Sequence, residues 1–428
     1  MFALAWAFVE RIVPRVASAS VMLILAALLS PGRVGLYSWM VVVLVLVQSC
    51  TDVAARQVGV LHAGTPTGDW FIRRYRSVGG PAGVAAMVVA VGVLYGLHPS
   101  ERTAALALLP MALVPLFSAI ELRAVVALQA AHEWRRFARA QAIAAVSSLG
   151  VTVPVVLVTR SLVAASLQAA LSEFLFAVLT TRAVRQIGFV TRLPEDRFAN
   201  ARSRLLREYG AAVTYTVLGW GQNQADRVAV GFSAGTATLG AYSLATSLAR
   251  SAGEAASNAS VNVLRAQIGN VELHTDRTLR TVAEASLKRS LGLLLALVIL
   301  TVAGTEFAIR PVLGAAWRPA LDVVPALSTG TIPNLVEWST TSVLQAQGRL
   351  RRALPFKAIG ILFALPIGIV AASSLQTAAW LALTRDVFVA VGMLLCAGSA
   401  APWKWGRRAG LVTFLAILVA IAIGHYFH

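Results

Sequence analysis

The sequence predicts an all-α integral membrane protein of two six-helix transmembrane lobes in a parallel internal repeat, with one extra helix at the C-terminus. Three observations carry that expectation. The chain is 57% hydrophobic and 13% charged over 428 residues, with a mean hydropathy of +0.73, and a soluble core of this length cannot hide so much apolar surface. Its apolar runs approach or exceed the roughly 20 residues that a helix needs to cross a bilayer, and they recur to the last residues, so no large soluble domain fits. Two phrases also occur twice. Leu128-Gln129-Ala130 precedes Arg135-Arg136 as Leu344-Gln345-Ala346 precedes Arg351-Arg352, at an offset of 216 residues, and Gly35-Leu36-Tyr37-Ser38 is echoed by Gly240-Ala241-Tyr242-Ser243 at an offset of 205.

The first lobe is expected over 1–182, with spans at 14–31, 36–58, 82–98, 103–125, 140–159 and 161–182. The first helix is read as its own targeting signal, because no small-residue cleavage site follows it. A basic cytoplasmic linker, 183–208, carries Arg185, Arg192, Arg197, Arg202, Arg204 and Arg207 and reads as a solvated loop against anionic headgroups. The second lobe, 209–398, has spans at 209–231, 237–262, 289–308, 320–345, 353–372 and 376–398. The remainder, 399–428, holds a thirteenth span at 409–425 that has no counterpart in the first repeat. Pro110, Pro115, Pro154, Pro325, Pro333 and Pro366 fall inside spans, where each removes or strains a backbone hydrogen bond and allows bending.

The net charge of +18 follows this topology. With the N-terminus in the cytoplasm, and helix-end cations counted with the adjoining loop, 29 of the 37 Lys and Arg fall on the cytoplasmic side. Only Arg33, Arg102, Arg160, Arg310 and Arg318 fall outside, and Arg227, Arg250 and Arg385 fall within spans. The basic balance is therefore insertion chemistry, and no nucleic-acid partner is expected. Cys50 and Cys396 both sit in apolar segments as small core residues.

The stretch Gln222–Ala249, QNQADRVAVGFSAGTATLGAYSLATSLA, resembles the seventh-to-eighth helix region of bacterial polysaccharide flippases in the multidrug/oligosaccharidyl-lipid/polysaccharide (MOP) superfamily. Asp226, Gly231, Leu239, Gly240, Tyr242, Ser243 and Ala245 fit that pattern. LLSPGRVGLYS, Leu28–Ser38, resembles the family's first loop, and Arg135-Arg136-Phe137 its fourth connection. Ala54, where many relatives carry Gly, and the thirteenth helix depart from it. The resemblance implies a MATE-like fold in the bacterial inner membrane. It further implies that the chain flips an undecaprenyl-diphosphate-linked oligosaccharide to the periplasmic leaflet by alternating access, feeding O-antigen lipopolysaccharide or exopolysaccharide assembly. Glycosyltransferases and a polysaccharide polymerase are the implied partners beside the bilayer. A small-molecule or drug exporter of the same superfamily and a non-transporting scaffold of a polysaccharide-assembly complex stay open as alternatives.

A pyrophosphate headgroup needs a polar, cation-bearing path through hydrocarbon, and Arg suits phosphate because its fork donates two parallel hydrogen bonds. Arg250 is the sharpest candidate, about 20 Å into its helix at 1.5 Å per residue, where a charge costs at least about 3 kcal/mol. Glu254, four residues on, offers the competing reading of an internal ion pair. Asp226 and Arg227 end the seventh span, facing either a cavity or the external headgroups; Arg385 and Asp386 pose the same question deeper in the twelfth. Consecutive residues on a helix point about 100° apart, so neither pair is expected to close on itself. Arg15 and Arg56 stand at the cytoplasmic ends of the first two helices, as entry-site or snorkelling residues. Asp52, Glu173 and Glu337 are in-span carboxylates, for proton or cation coupling or as counter-ions.

No phosphate loop, HExxH or paired-Cys spacing occurs. His62, His98, His132, His274, His425 and His428 are scattered at or beyond helix ends, so neither metal nor cofactor is expected, and the chain does not read as an enzyme.

Overall fold

The computed structural model describes residues 2–131, 133–187, 201–269 and 275–426, with side chains described for these except 2–11, 201, 266, 269 and 415–426. Arg192, Arg197, His132, His274 and His428, and the side chain of His425, lie outside the described residues. Among the described residues there is no β-strand, and nine helices are long and apolar enough to cross a membrane. The protein is a multi-pass membrane protein.

In chain order the helices are α1 (Phe2–Leu28), α2 (Pro31–Leu61), α3 (Pro66–Leu97), α4 (Leu109–Ala130), α5 (Trp134–Thr159) and α6 (Leu162–Ile187). The helical stretch Ala201–Gly269 is too long for one crossing and breaks at Gly235 (φ 83°, ψ 175°) into α7, 201–234, and α8, 236–269. There follow α9 (Asp276–Ile309), α10 (Val324–Thr329 with Thr331–Ala346), α11 (Leu350–Ala371), α12 (Leu375–Ala397) and α13 (Trp403–Tyr426). Each of the thirteen expected spans overlaps one of these helices, but the bounds differ. The third starts at Pro66 rather than 82, the ninth at Asp276 rather than 289, and the thirteenth at Trp403 rather than 409. Hydropathy marks only the hydrocarbon-matched part of a helix, whereas caps set its true start. Thr65 accepts from the Gly68 amide at 3.0 Å with Pro66 in the first turn, and Thr275 accepts from Thr278 at 3.3 Å.

Proline acts as expected at some of the six positions. Pro366 removes an amide and crowds the preceding turn, and α11 is interrupted at Phe363. Around Pro110 the backbone is a 3₁₀ turn, Leu109–Leu113, before the regular part of α4 begins at Val114. Pro154, by contrast, is carried within an uninterrupted α5.

The duplication is visible in hydrogen bonds. In both copies of the Leu-Gln-Ala phrase, the amide five residues on closes over the leucine carbonyl: Glu133 to Leu128 at 2.9 Å and Arg349 to Leu344 at 2.9 Å. The short elements before them also recur, with Pro99–Glu101, Arg102–Leu106 and Leu109–Leu113 preceding Val114–Ala130 as Ala315–Trp317, Arg318–Leu321 and Val324–Thr329 precede Thr331–Ala346.

The chain forms two compact units. One comprises Met1–Ala17 and Leu36–Gln224, the other Ser18–Gly35 and Ala225–His428. In the first, Ala55, Phe71, Tyr75, Leu122 and Leu205 share a core, with the Phe71 and Tyr209 rings edge to face at 5.3 Å. A second cluster there joins Phe137 and Phe176 at 5.5 Å. In the other unit Leu264, Ile268, Leu279, Ala283, Val343 and Ala400 pack together, and α13 lies against α9 and α10.

Candidate functional site

In the first unit α2 changes to a π-turn over Ser49–Val53, which unsettles the regular ladder and exposes carbonyls to other partners. Thr216 Oγ1 donates to the Ser49 carbonyl at 2.6 Å and Tyr209 Oη to that of Cys50 at 2.9 Å, so α7 fastens the irregular turn. Asp52 lies within it, 6% exposed, one turn before Arg56. The Arg56 guanidinium donates through Nη2 to Asp52 Oδ2 at 3.0 Å and to Glu121 Oε1 of α4 at 3.3 Å. Glu121 is fully buried, and among the described residues neither its Oε2 nor Asp52 Oδ1 has a hydrogen-bond partner. Nearby on α6, Glu173 accepts from Ser118 Oγ at 2.6 Å. Two carboxyl groups thus share one guanidinium, whose side chain is 25% exposed, and the third is held by Ser118.

The second unit holds a chain of five side chains. Tyr242 Oη donates to Asp226 Oδ2 at 2.9 Å; Arg385 Nη1 stands 3.5 Å from the same oxygen; Arg385 Nη2 meets Asp386 Oδ1 at 2.9 Å; and Arg250 Nη2 donates to Asp386 Oδ2 at 2.9 Å. All four charged side chains are at most 7% exposed. Gly330, between the two parts of α10, gives them room, since a Cβ there would stand 2.9 Å from Asp386 Oδ2. Two arginines and two aspartates cancel, which is how buried charges become tolerable.

Several expectations change here. The carboxylate that meets Arg250 is Asp386, 136 residues away, rather than its neighbour Glu254, which is half-buried on the same helix. Asp226 is 1% exposed, buried inside the protein. Arg385 and Asp386 do close on each other, with Nε to Oδ1 at 3.0 Å, because the long arginine side chain reaches around the helix where a short one would not. Glu337, 2% exposed, is met by Lys357 at 3.1 Å. Arg227 and Arg15 are half-buried, in the second and first units respectively, and the Arg227 amide donates to Asp226 Oδ1 at 2.8 Å.

Sequence reasoning missed Glu121, Tyr242, Ser118 and Lys357. Glu121 had a readable signal, a carboxylate inside an apolar span. Tyr242 was visible in the repeated phrase and in the family pattern, without a partner assigned to its hydroxyl.

The fold is that of the MOP-superfamily transporters. It aligns with an inward-facing multidrug resistance MATE family transporter of that superfamily at a TM-score of 0.60 and 15% identity, covering 95% of this chain and 98% of the other. With the lipid II flippase MurJ, inward closed, the TM-score is 0.63 at 10% identity, covering 96% and 97%. A MOP transporter from Pyrococcus furiosus gives 0.56 at 15% identity, covering 95% and 96%. By sequence no curated protein matches the chain. Residues 24–322 match the family described as polysaccharide biosynthesis protein, and the chain belongs to that family.

Proposed function

We propose that this protein flips an undecaprenyl-diphosphate-linked oligosaccharide, an O-antigen or exopolysaccharide repeat unit, from the cytoplasmic to the periplasmic leaflet of the bacterial inner membrane. The observation that carries the reading is membership of a polysaccharide-biosynthesis family joined to a fold shared, over nearly the whole chain, with a lipid II flippase. The lobes 1–182 and 209–398, joined by the basic segment 183–208 and followed by 399–428, alternate access, and the N-terminus is cytoplasmic, as the Lys and Arg distribution supports. Glycosyltransferases and a polymerase supply and consume the cargo.

Arg56 is the arginine we assign to the diphosphate, with Arg15 and Arg227 as further contacts. Its guanidinium is partly exposed, and a phosphate can replace carboxylate oxygens around it. Glu121, Asp52 and Glu173 then respond to the cargo's charge and couple its passage to a proton or cation. Arg250, Arg385, Asp226 and Asp386 hold the second unit's helices together, their charges already met by one another. Glu254 and Glu337 act as gating carboxylates.

The test is mass spectrometry of lipid extracts from cells lacking the protein, or restored with the native chain or with R56Q/E121Q, which removes one charge of each sign. Accumulated undecaprenyl-diphosphate oligosaccharide, cleared by the native chain but not by the normally abundant variant, supports flippase and site together. Absence of accumulation in a strain without a second flippase overturns the substrate class and favours the exporter that the MATE likeness suggests.

A further inference from the structure

Within the first unit a cleft of about 520 Å³ opens among α3, α4 and α6, apart from the Asp52–Arg56–Glu121 cluster. Its size lies within the roughly 300–1,000 Å³ of ligand pockets. Arg73 and Arg76 of α3, Arg123 of α4 and Arg185 of α6 line it, against one acid, Asp69. His62 also lines it, and its Nε2 is 2.7 Å from Glu208. Among the described residues none of the four guanidinium groups has an ion pair or a side-chain hydrogen bond. The floor is apolar, formed by Ile72, Ala119, Val126 and Ala127. Arg73 and Arg76 lie three residues apart, on one face of the first turns of α3, while Arg123 and Arg185 come near the C-terminal ends of α4 and α6. All four therefore gather toward one end of their helices.

Four like charges around one acid repel each other unless an anion joins them. A small soluble anion would satisfy the rim and leave the floor unused, whereas a phosphodiester bearing a glycerol and acyl chains satisfies both. We propose that this cleft binds the headgroup of an anionic bilayer phospholipid, with the phosphate between the arginines and the glycerol end on the apolar floor. Basic clefts between membrane helices suit such headgroups. The site needs only the protein's membrane placement, not the flippase reading above, and it would anchor one end of three helices to the lipid around them.

Native mass spectrometry of the purified full chain tests this, with phosphatidylglycerol, phosphatidylethanolamine and inorganic phosphate as probes. Phosphatidylglycerol should be retained in preference to phosphatidylethanolamine, and R73Q/R123Q/R185Q should lower that retention at least about tenfold, since each surface cation contributes roughly a factor of five. R74Q/R182Q/R289Q removes the same charge from exposed positions outside the cleft and should leave it unchanged. Equal losses in both triple variants, or equal retention of the two lipids, overturn the proposal. Inorganic phosphate that displaces phosphatidylglycerol at equal concentration, and is itself lost from the cleft variant, assigns the site to a soluble anion instead. If the triple variant fails to fold, the three single replacements decide, each expected to lower retention about two- to fivefold. Oligosaccharide-lipid levels in the same cells report separately on flipping.

Discussion

Gly35 and Gly240 each head a Gly-x-Tyr-Ser phrase, and they face each other: a Cβ on Gly240 would stand 2.8 Å from the Gly35 amide nitrogen and in the Pro31 carbonyl oxygen. The relation is reciprocal, because a Cβ on Gly35 would fall on the carbonyl oxygen of Thr236. The starts of α2 and α8 touch backbone to backbone, and only a residue without a side chain fits. Gly35→Ala and Gly240→Ala should each destabilise the protein by about 3 kcal/mol or more, since backbone cannot yield as a flexible side chain does. Gly219→Ala, in α7 with nothing within 4 Å, should instead stabilise by about 0.5–1 kcal/mol. Thermal unfolding of the three purified variants checks the contrast.

At Gly235 the obstacle is conformational. Nothing lies within 4 Å of its would-be Cβ, yet φ 83° with ψ 175° is a region essentially reserved for glycine. Gly235→Ala should cost about 1–3 kcal/mol despite the open space. Gly235→Asn should recover little, because asparagine tolerates the left-handed helical region rather than this one. Comparing the two melting temperatures tests the assignment.

Arg250→Ala should lower stability by about 3–5 kcal/mol, by leaving two buried aspartates, Asp226 and Asp386, to share the one arginine, Arg385. Arg250→Met with Asp386→Leu removes both charges and leaves Arg385 facing Asp226, so abundance in membranes should return close to native. Retained transport in the double variant would confirm that the pair serves packing. A folded, abundant but inactive double variant would return Arg250 to the list of cargo contacts.

Tyr242→Phe deletes one hydroxyl that donates to a buried carboxylate. Hydrogen bonds to charged groups contribute about 1.5–3 kcal/mol, and the loss should fall in that range. Combining it with Arg385→Met should produce a non-additive effect, because both act on Asp226 Oδ2. A double-mutant cycle on unfolding midpoints measures the coupling.

Much of the architecture was legible because hydrocarbon leaves few options: apolar stretches of the right length must be helices, and nine such helices stand among the described residues. Gly-x-Tyr-Ser and Leu-Gln-Ala advertised the repeat because each marks a helix end whose geometry depends on those residues. The ion pairs were not legible. Arg250 and Asp386 are far apart in sequence, and periodicity ranks only near neighbours, so Glu254 stood in for the true partner. The π-turn at Ser49–Val53 was equally hidden, since no residue type demands it and its support comes from Tyr209 and Thr216 on another helix.

The mutual seating of Gly35 and Gly240 has the logic of a two-fold axis, in which one patch meets its own copy. A half-length ancestor with a single such glycine could have satisfied the contact by pairing with a second molecule of itself, both chains pointing the same way across the membrane. Fusion would then have carried a homodimer's mating surface inside one polypeptide. In that ancestor any change at the glycine struck both sides at once. In the fused chain each side can drift separately, and the residues that receive the two glycines, Thr236 and Pro31, have already ceased to match.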